Sequence, residues 1–362
     1  MGGRMRILGL ESSCDETACA IVELRESSPP VSATGAAARC FPSLTVRSDV
    51  VASQIELHNR WGGIVPEIAA RQHIQNVLPT VDSALRDAGL RLTDLDGIAV
   101  TRGPGLVGAL LVAVQVGKAL AFATGLPLVG VNHLEGHLLA AYLSDGATNE
   151  VPPMPHLALL VSGGHTAVLL VRALGDYELL GSTSDDAAGE AFDKVGKLLG
   201  LGYPAGPQID RLAATGNAQA VRFPKAMTGQ KRGLQLSFSG LKTAAAAYLA
   251  ANPPQSEAEL ADFCASFQAA IVEQLVRKTR LALVAHPSLP AVVVSGGVAC
   301  NRGLRTALHR LCQEHGRRFF AARPRWCADN AAMIAAAGAL RLQRGERSDL
   351  YLNATASLPI AR

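Results

Sequence analysis

The 362-residue sequence predicts an α/β protein, and three observations carry that prediction. Short aliphatic runs suited to buried strands alternate with longer stretches of helical pattern through much of the chain. Hydrophobic residues make up 49% of the sequence but aromatics only 4%, so the cores must be built from Ala, Val, Leu and Ile, which suits layered sheets and helices. Several of the aliphatic runs also end abruptly in glycine, as strands do where a ligand or another backbone comes close. The length is enough for two domains with substantial cores.

Taken in order, Arg6 to Leu10 reads as a strand, Glu11 to Asp15 as a turn and Thr17 to Val22 as the return strand. Residues 27–45, with Pro29-Pro30 and many small side chains, read as a flexible insertion. Pro66 opens a helix to Ala88, with Pro79 as a candidate break. Gly97 to Thr101 is a strand that leads into Arg102-Gly103-Pro104-Gly105 and the apolar stretch Leu106 to Ala123. That stretch is apolar enough to be weighed as a membrane span, but it carries Gln115 and Lys118 and is soon followed by Pro127, which favours a core helix. Pro127 to Val131 is a strand leading to a short helix with two histidines. Glu257 to Ala285 is one long helix or two, and Asp329 to Leu340 is an Ala-rich helix.

The strongest organisational signal is an echo. Leu159-Leu160-Val161-Ser162-Gly163-Gly164 recurs as Val292-Val293-Val294-Ser295-Gly296-Gly297. Each is an apolar strand, buried on both faces, that stops in Ser-Gly-Gly. The first copy continues into a second β-rich run, Ala167 to Val171, and predicts a hairpin. The second continues into a helix with Asn301 near its N-cap.

Composition excludes some classes. The seven cysteines are odd in number and lack paired-ligand spacing, so neither a disulfide framework nor a zinc knuckle is expected; reduced thiols in a cytoplasmic protein are the simpler reading. The apolar run Ile7 to Leu10 stops at Glu11 and is too short for a signal peptide. Net charge is only +4, but it is uneven. The stretch 222–242 holds Arg222, Lys225, Lys231, Arg232 and Lys242 and no acid, while Arg302 to Arg325 holds seven arginines against Glu314 alone. Such tracts are usually solvated faces, yet they also fit contact with a phosphate backbone.

His133 and His137 stand four residues apart, so a helix places both on one face. Neutral imidazoles so placed can share a metal ion; otherwise they are ordinary surface or capping histidines. A zinc protease needs its Glu directly after the first His, where this chain has Leu134, and Glu135 points away from the histidine face. A peptidase is therefore the weakest reading. Asp329, at the start of the Ala-rich helix, either caps it or supplies the oxygen that two histidines lack, a donor set that suits iron or zinc.

Glycine-rich turns after strands gather backbone N–H groups that bind phosphate. Four occur, at Gly103 to Gly108, Ser162 to His165, Gly202 to Gly206 and Ser295 to Gly297, and together they favour a nucleotide or acyl-phosphate ligand. None ends in the Gly-Lys-Ser/Thr of a P-loop, and Gly103 to Gly108 has only the spacing of a dinucleotide fingerprint. Within Asp185 to Lys194, Glu190 reads as an acid favouring the positive end of a helix, while Asp193 is the better candidate for bonding a ligand hydroxyl.

At this point the motifs are identifiable. Gly9 to Thr17, Gly62 to Glu67, Gly103 to Gly108, His133 to His137, Val161 to Thr166, Ala188 to Lys194, Ser237 to Lys242 and Ser295 to Val298 occur in the order found in the universal tRNA threonylcarbamoyltransferase family, once described as sialoglycoprotein endopeptidases, and the chain resembles that family over nearly its whole length. The resemblance implies an actin, Hsp70 and sugar-kinase type of duplicated fold, with two α/β domains around a nucleotide cleft. The first domain is expected to comprise residues 1–131 and 328–362. The second is expected at 132–327, with a basic insertion near 203–256.

The activity implied is transfer of threonylcarbamoyl from its adenylate, threonylcarbamoyl-AMP, to N6 of the adenosine beside the anticodon (tRNA position 37) in tRNAs reading codons that start with A. By the same resemblance His133, His137 and Asp329 hold one divalent metal ion, Fe2+ first and Zn2+ or Mg2+ as alternatives. Leu160, Val161, Ser162, Gly163, Gly164, Asp193, Gly206, Asp210 and Asn301 line the adenylate site, and Asp15 and Glu16 occupy the place of acidic residues needed for activity. Expected partners are the tRNA anticodon stem-loop, a non-catalytic paralogue and a small ATPase, with no membrane. Two other readings stand beside it: a small-molecule kinase of the same superfamily, which leaves the histidine pair unexplained, and a non-catalytic nucleotide-binding scaffold. Three departures from the family pattern are Ala205 for a usual glycine, Trp61 for a usual tyrosine, and a longer stretch from Ser27 to Leu44.

Overall fold

The computed structural model describes residues 3–26, 41–146, 150–225 and 233–361. The chain divides into two compact units. Unit 1 comprises Met1–Glu56, Ile64–Val151 and Asp329–Ile360, and unit 2 comprises Leu57–Gly63, Pro152–Ala328 and Ala361–Arg362. The histidine helix, expected in the second domain from residue 132, thus lies in unit 1, because it packs against the Ala-rich helix of the returning C-terminal segment.

Unit 1 is built on β1 (Arg4–Glu11), β2 (Glu16–Arg25), β3 (Ser43–Ser53), β4 (Gly97–Gly103), β5 (Leu128–Asn132) and β6 (Leu143–Ser144), in the sheet order β5-β4-β1-β2-β3-β6. β1, β2 and β3 are antiparallel neighbours, while β4 and β5 continue the sheet in parallel. Along β1 the side chains alternate between two faces. Leu8 and Leu10 join a core with Val81 and Ala84 of helix α2 (Pro66–Ala88) and Ala113 and Val114 of helix α3 (Val107–Thr124). Gly9 faces the other way, where a Cβ would stand 2.4 Å from the Ala331 carbonyl. Helix α10 (Ala331–Gln343) lies there, buried without a break from Ala331 to Leu340. Its small side chains are what let helix and sheet approach so closely.

Three local expectations change. The segment 43–45, assigned to a flexible insertion, begins β3 and pairs with Arg25, Leu24 and Glu23, while residues 27–40 lie outside the described residues. Pro79 does not break α2: Pro79 and Gln75, whose carbonyl loses its helical donor, are both exposed, so water can serve the freed oxygen. α3 is long and apolar enough to cross a membrane by length and composition, but here Ala109, Leu110, Ala113, Val114, Gly117 and Ala121 form a buried stripe, and a Cβ on Gly117 would meet Val100 at 2.3 Å.

Unit 2 repeats the plan. β7 (His156–Val161), β8 (Thr166–Ala173) and β9 (Asp176–Ser182) are antiparallel, and β10 (Ala291–Ser295) and β11 (Arg318–Ala321) continue in parallel, in the order β11-β10-β7-β8-β9. This is the order β5-β4-β1-β2-β3 over again, which is the duplication expected. The Ser-Gly-Gly echo is not its trace, however. Both copies end neighbouring strands of one sheet, with Ser295 opposite Leu160. The turn equivalent to Ser162–His165 is the polar one between β1 and β2, and the equivalent of Ser295–Gly297 is Gly103–Gly105. Helix α8 (Glu257–Ala285) runs unbroken, and its Phe263 and Phe267 pack with Phe192 and Phe223 in an aromatic core.

Candidate metal centre and glycine loops

Helix α4 (His133–Leu139) begins directly at the end of β5, with Asn132 as N-cap accepting from the Leu134 amide at 2.9 Å. The cap fixes the helix start, and i, i+4 spacing then stacks His133 and His137 on one face, their rings edge to face with centroids 4.7 Å apart. Glu135 points elsewhere, to Arg341 of α10 at 2.7 Å. On α10 the cap is Asn330, which accepts from Met333 N at 3.0 Å. Asp329 is therefore not the cap, and its Oδ1 lies 3.2 Å from His137 Nε2 and 3.5 Å from His133 Nε2.

These three residues offer donor atoms within 4.8 Å of one another, and the group fits a divalent metal ion. Among the described residues neither buried ring nitrogen of His137 finds a well-aligned hydrogen-bond partner, although Asp329 Oδ1 stands close to Nε2, and that is costly unless something else coordinates one of them. Electrostatics agree. Burial works against charge on Asp329, but His133 and His137 outweigh it and hold the carboxyl far below the usual carboxylate range. Burial also opposes a charged His133, yet Glu11 and Asp329 on either side raise it well above ordinary imidazole. The centre is built to keep positive charge between acids, as a proton or as a cation.

The turn between β1 and β2 supports this centre. His133 Nδ1 is 2.9 Å from Glu11 Oε2 and 3.2 Å from Ser13 Oγ. His73 of α2 holds the turn from behind, 3.1 Å from the Cys14 carbonyl and 2.7 Å from Thr17 Oγ1. Gly103 to Gly108, expected to cradle phosphate, has a packing role instead: a Cβ on Gly105 would lie 2.6 Å from the Ser13 carbonyl, and Leu106 N donates to that same oxygen at 2.8 Å. Asp15 is buried in this turn. Glu16 begins β2, accepts from Ser53 Oγ at 2.8 Å, and leaves Oε2 buried without a hydrogen-bond partner among the described residues. Burial first, then the charges of Asp15 and Asp329, push Glu16 up to about 8 against the opposing Ser53 hydrogen bond.

In unit 2 the two Ser-Gly-Gly turns lie side by side. Gly296 adopts φ +91°, and a Cβ there would lie 2.4 Å from the Val161 carbonyl, so only glycine fits. Among the described residues, nothing but the chain neighbours stands within 4 Å of the Cβ positions of Gly163, Gly164 and Gly297, so a ligand has open access to that backbone. Leu160 and Val161 are buried strand residues and place the turn. Ser162 shapes it, its Oγ accepting from His165 N at 3.1 Å. Helix α5 (Ala188–Leu198) gives its first amides to this loop, Gly189 N to Ser162 O and Glu190 N to Gly163 O.

The polar residues expected on the adenylate are already engaged with protein. Asp193 Oδ1 accepts from Ala205 N at 2.8 Å, which ties α5 to the start of helix α6 (Gly206–Ala213). Ala205 has ordinary right-handed helical dihedrals, so the departure from glycine there carries no strain, and the close fit falls on Gly196, whose Cβ would meet that of Ala205. Asp210 accepts from Arg302 Nε at 2.7 Å, and Asn301 caps helix α9 (Arg302–Glu314) while donating to Gln268 at 2.6 Å. Sequence reasoning missed the roles of Glu11, Ser13, Arg302 and Gln268. An acid closing an otherwise apolar strand was the available signal for Glu11.

Asp185 and Asp186 also work structurally. Asp185 accepts from the amides of Phe238 and Ser239 at the start of helix α7 (Ser239–Ala251), and Asp186 pairs with Lys194 at 2.7 Å and Lys242 at 2.6 Å. Glu190 pairs with Lys194 at 2.8 Å, in keeping with its reading as a helix-start acid. In the arginine tract, Arg302 serves Asp210, Arg305 donates to the carbonyls of Ala299 and Ala322, Arg317 donates to that of Pro287, and Glu314 pairs with Arg280. Arg310, Arg318 and Arg325 stay exposed. Of the first tract, Lys231 and Arg232 lie outside the described residues. Cys14, Cys19, Cys264, Cys300, Cys312 and Cys327 are free thiols.

Comparison with known proteins joins these features. The chain is 52% identical over 351 residues to the tRNA N6-adenosine threonylcarbamoyltransferase of Anaeromyxobacter sp. (strain Fw109-5), covering 97% of this chain and 98% of the relative. It is 48% identical over 359 residues to the enzyme of that name from Magnetococcus marinus, covering 98% and 97%. Among solved structures, T. kodakarensis HypF matches with a TM-score of 0.56 at 14% identity, over 94% of this chain and 48% of that one. Full-length HypF in a phosphate- and nucleotide-bound form matches with a TM-score of 0.54 at 13% identity, over 95% and 47%. At such low identity the likeness shows the fold alone, of the actin-like ATPase and sugar-kinase kind. The family model described as tRNA N6-adenosine threonylcarbamoyltransferase (TsaD) matches residues 45–336. With two full-length relatives near half identity and both α4 histidines inside the matched span, the chain belongs to the tRNA N6-adenosine threonylcarbamoyltransferase family.

Proposed function

We propose that this protein transfers the threonylcarbamoyl group of threonylcarbamoyl-AMP to N6 of the adenosine at position 37, beside the anticodon, in tRNAs reading codons that start with A. The observation that carries the reading is the His133–His137–Asp329 centre, in a chain half identical to such transferases over its whole length. The reaction is an acyl transfer. The adenosine amine attacks the carbamoyl carbon, the bond from that carbon to the AMP phosphate oxygen breaks, AMP leaves, and the amine loses a proton. The nucleophile belongs to the tRNA, so no serine or cysteine nucleophile is required, and the adenine must be unstacked from its loop to react.

In this reading His133, His137 and Asp329 hold one divalent cation, Fe2+ in first place, which supplies Lewis acidity toward acyl or phosphate oxygens. The open backbone of Gly163, Gly164 and Gly297 receives the adenylate, and the engaged Asp193, Asp210 and Asn301 hold the surrounding loops in shape. Glu16 is the acceptor for the amine proton, since its buried Oε2, without a hydrogen-bond partner among the described residues, already favours a proton. Asp15 beside it strengthens that preference. The exposed arginines Arg310, Arg318 and Arg325 offer contacts for the tRNA backbone. We place the reaction in the cytoplasm, with a non-catalytic paralogue and a small ATPase as partners, on family grounds.

The test is mass spectrometry of nucleosides from tRNA incubated with the protein, its partners and threonylcarbamoyl-AMP, with and without a chelator. Threonylcarbamoyladenosine that forms and is lost on chelation is expected. Absence of turnover with every partner supplied would leave only a scaffold.

A further inference from the structure

The carboxylate of Glu11 sits at the end of β1 and is 1% exposed. Among the described residues, the polar groups around it are hydrogen-bond donors, the Ser13 hydroxyl among them, or an imidazole nitrogen. Ser13 N donates to Oε1 at 2.5 Å, Thr101 Oγ1 donates to Oε2 at 2.7 Å, and His133 Nδ1 lies 2.9 Å from Oε2. An ionised carboxylate only accepts hydrogen bonds. A buried one held by a backbone amide and a hydroxyl must be met by an N–H on the ring.

We propose that Glu11 is a positioning residue that fixes the proton of His133 on Nδ1, so that the Nε2 lone pair faces the cation position beside Asp329. The inference rests on the cation-site reading above. His133 needs such a partner because Ser13 Oγ, at 3.2 Å from the same Nδ1, can donate or accept and so leaves the tautomer undecided. The carboxylate decides it. It also fixes the ring plane, since β1 and β4 deliver Glu11 and Thr101 from neighbouring strands of one sheet. Among the described residues His137 has no such hydrogen-bonded partner, and it is His133 whose geometry is set through the sheet.

Glu11→Gln nearly preserves shape but cannot satisfy all three neighbours. If the amide oxygen faces Thr101 and His133, its NH2 meets the Ser13 N–H. If it flips, its NH2 points at Nδ1, which must then accept, and the proton moves to Nε2 where the cation would bind. The experiment uses the full-length, metal-free protein and Co2+ alone as probe, with titration calorimetry for affinity, the visible spectrum for coordination and 15N-histidine NMR for the tautomer. Wild type should bind one Co2+ and, once loaded, show His133 protonated at Nδ1 alone. Glu11→Gln should bind Co2+ about 10–100-fold more weakly and lose that signature. Thr101→Val, which removes one donor without touching the ring, covers the case where Glu11→Gln fails to fold; it should weaken Co2+ by about 5-fold, the equivalent of one ordinary hydrogen bond. A Glu11→Gln protein that loses thermal stability yet binds Co2+ with wild-type affinity and an unchanged His133 signature overturns the proposal and makes Glu11 merely structural; so does wild-type Co2+ affinity in Thr101→Val. Wild type that binds no Co2+ overturns the cation-site reading itself, and the proposal with it.

Discussion

The buried carboxylate of Glu135 and the partly exposed guanidinium of Arg341 form an ion pair, 2.7 Å apart, that joins α4 to α10, the helix that carries the two histidines to the helix that Asp329 precedes. Glu135 is the acid that a protease reading would have needed one residue earlier. Here it is the fastener that sets how its own helix meets the third ligand.

Arg341→Ala should therefore destabilise the protein by about 2–4 kcal/mol, because it strands a buried carboxylate. Urea unfolding should show this. Cation affinity should fall too, although Arg341 touches none of the ligands. The double variant Glu135→Leu/Arg341→Met should recover most of the stability.

His137→Ala removes an imidazole whose nitrogens have no well-aligned hydrogen-bond partner among the described residues. It should abolish transfer and leave the metal-free protein folded. In wild type, a cation at 100 times its Kd should stabilise by about 2.7 kcal/mol and raise Tm. A thermal shift that survives in His137→Ala would place the cation elsewhere.

Glu16 titrates near 8 in the folded, metal-free protein, above the ordinary value of 4.5, chiefly through burial. The unfolded chain releases this proton first. The stability that Glu16 contributes is thus whole below pH 4.5 and is lost progressively as pH rises toward 8. Glu16→Gln should flatten that decline in Tm scans between these limits. As the proton acceptor, Glu16 should also make the transfer rate rise with pH, and the substitution should remove that limb.

Gly296→Ala forces a side chain into φ +91° and onto the Val161 carbonyl. Strain and overpacking together should cost about 2–4 kcal/mol. Adenylate binding by the adjoining turns should be lost, while Co2+ binding by the histidine centre in unit 1 should persist. Loss of both would mean that the whole chain had unfolded.

Asp186 is held below its usual range by Lys194 and Lys242 despite burial. Its contribution is present above the ordinary value of 3.8 and is lost as pH falls below it. Asp186→Asn should cost about 1–2 kcal/mol at pH 7 and less at pH 2. Chemical denaturation at the two pH values checks it.

The sequence by itself determined which elements form and which residues can ligate. Strand runs, helix caps and the four-residue histidine spacing are local properties, written in neighbouring residues, and they were legible at His133, His137, Asn301 and along β1, β7 and β10. Only the tertiary structure decided what those residues face. Asp329 is a ligand candidate and not a cap because Asn330 takes the helix amide. Gly105 and Gly296 are glycines for close backbone contact. Asp193, Asp210 and Asn301 hold protein groups of their own. The Ser-Gly-Gly echo marks adjacent strands of one sheet, whereas the repeat in sheet order pairs the polar β1–β2 turn with Ser162–His165 and Gly103–Gly105 with Ser295–Gly297. Each of these outcomes depends on groups brought together from far apart in the chain, such as Glu11 with Thr101 and His133, and no local pattern encodes that meeting.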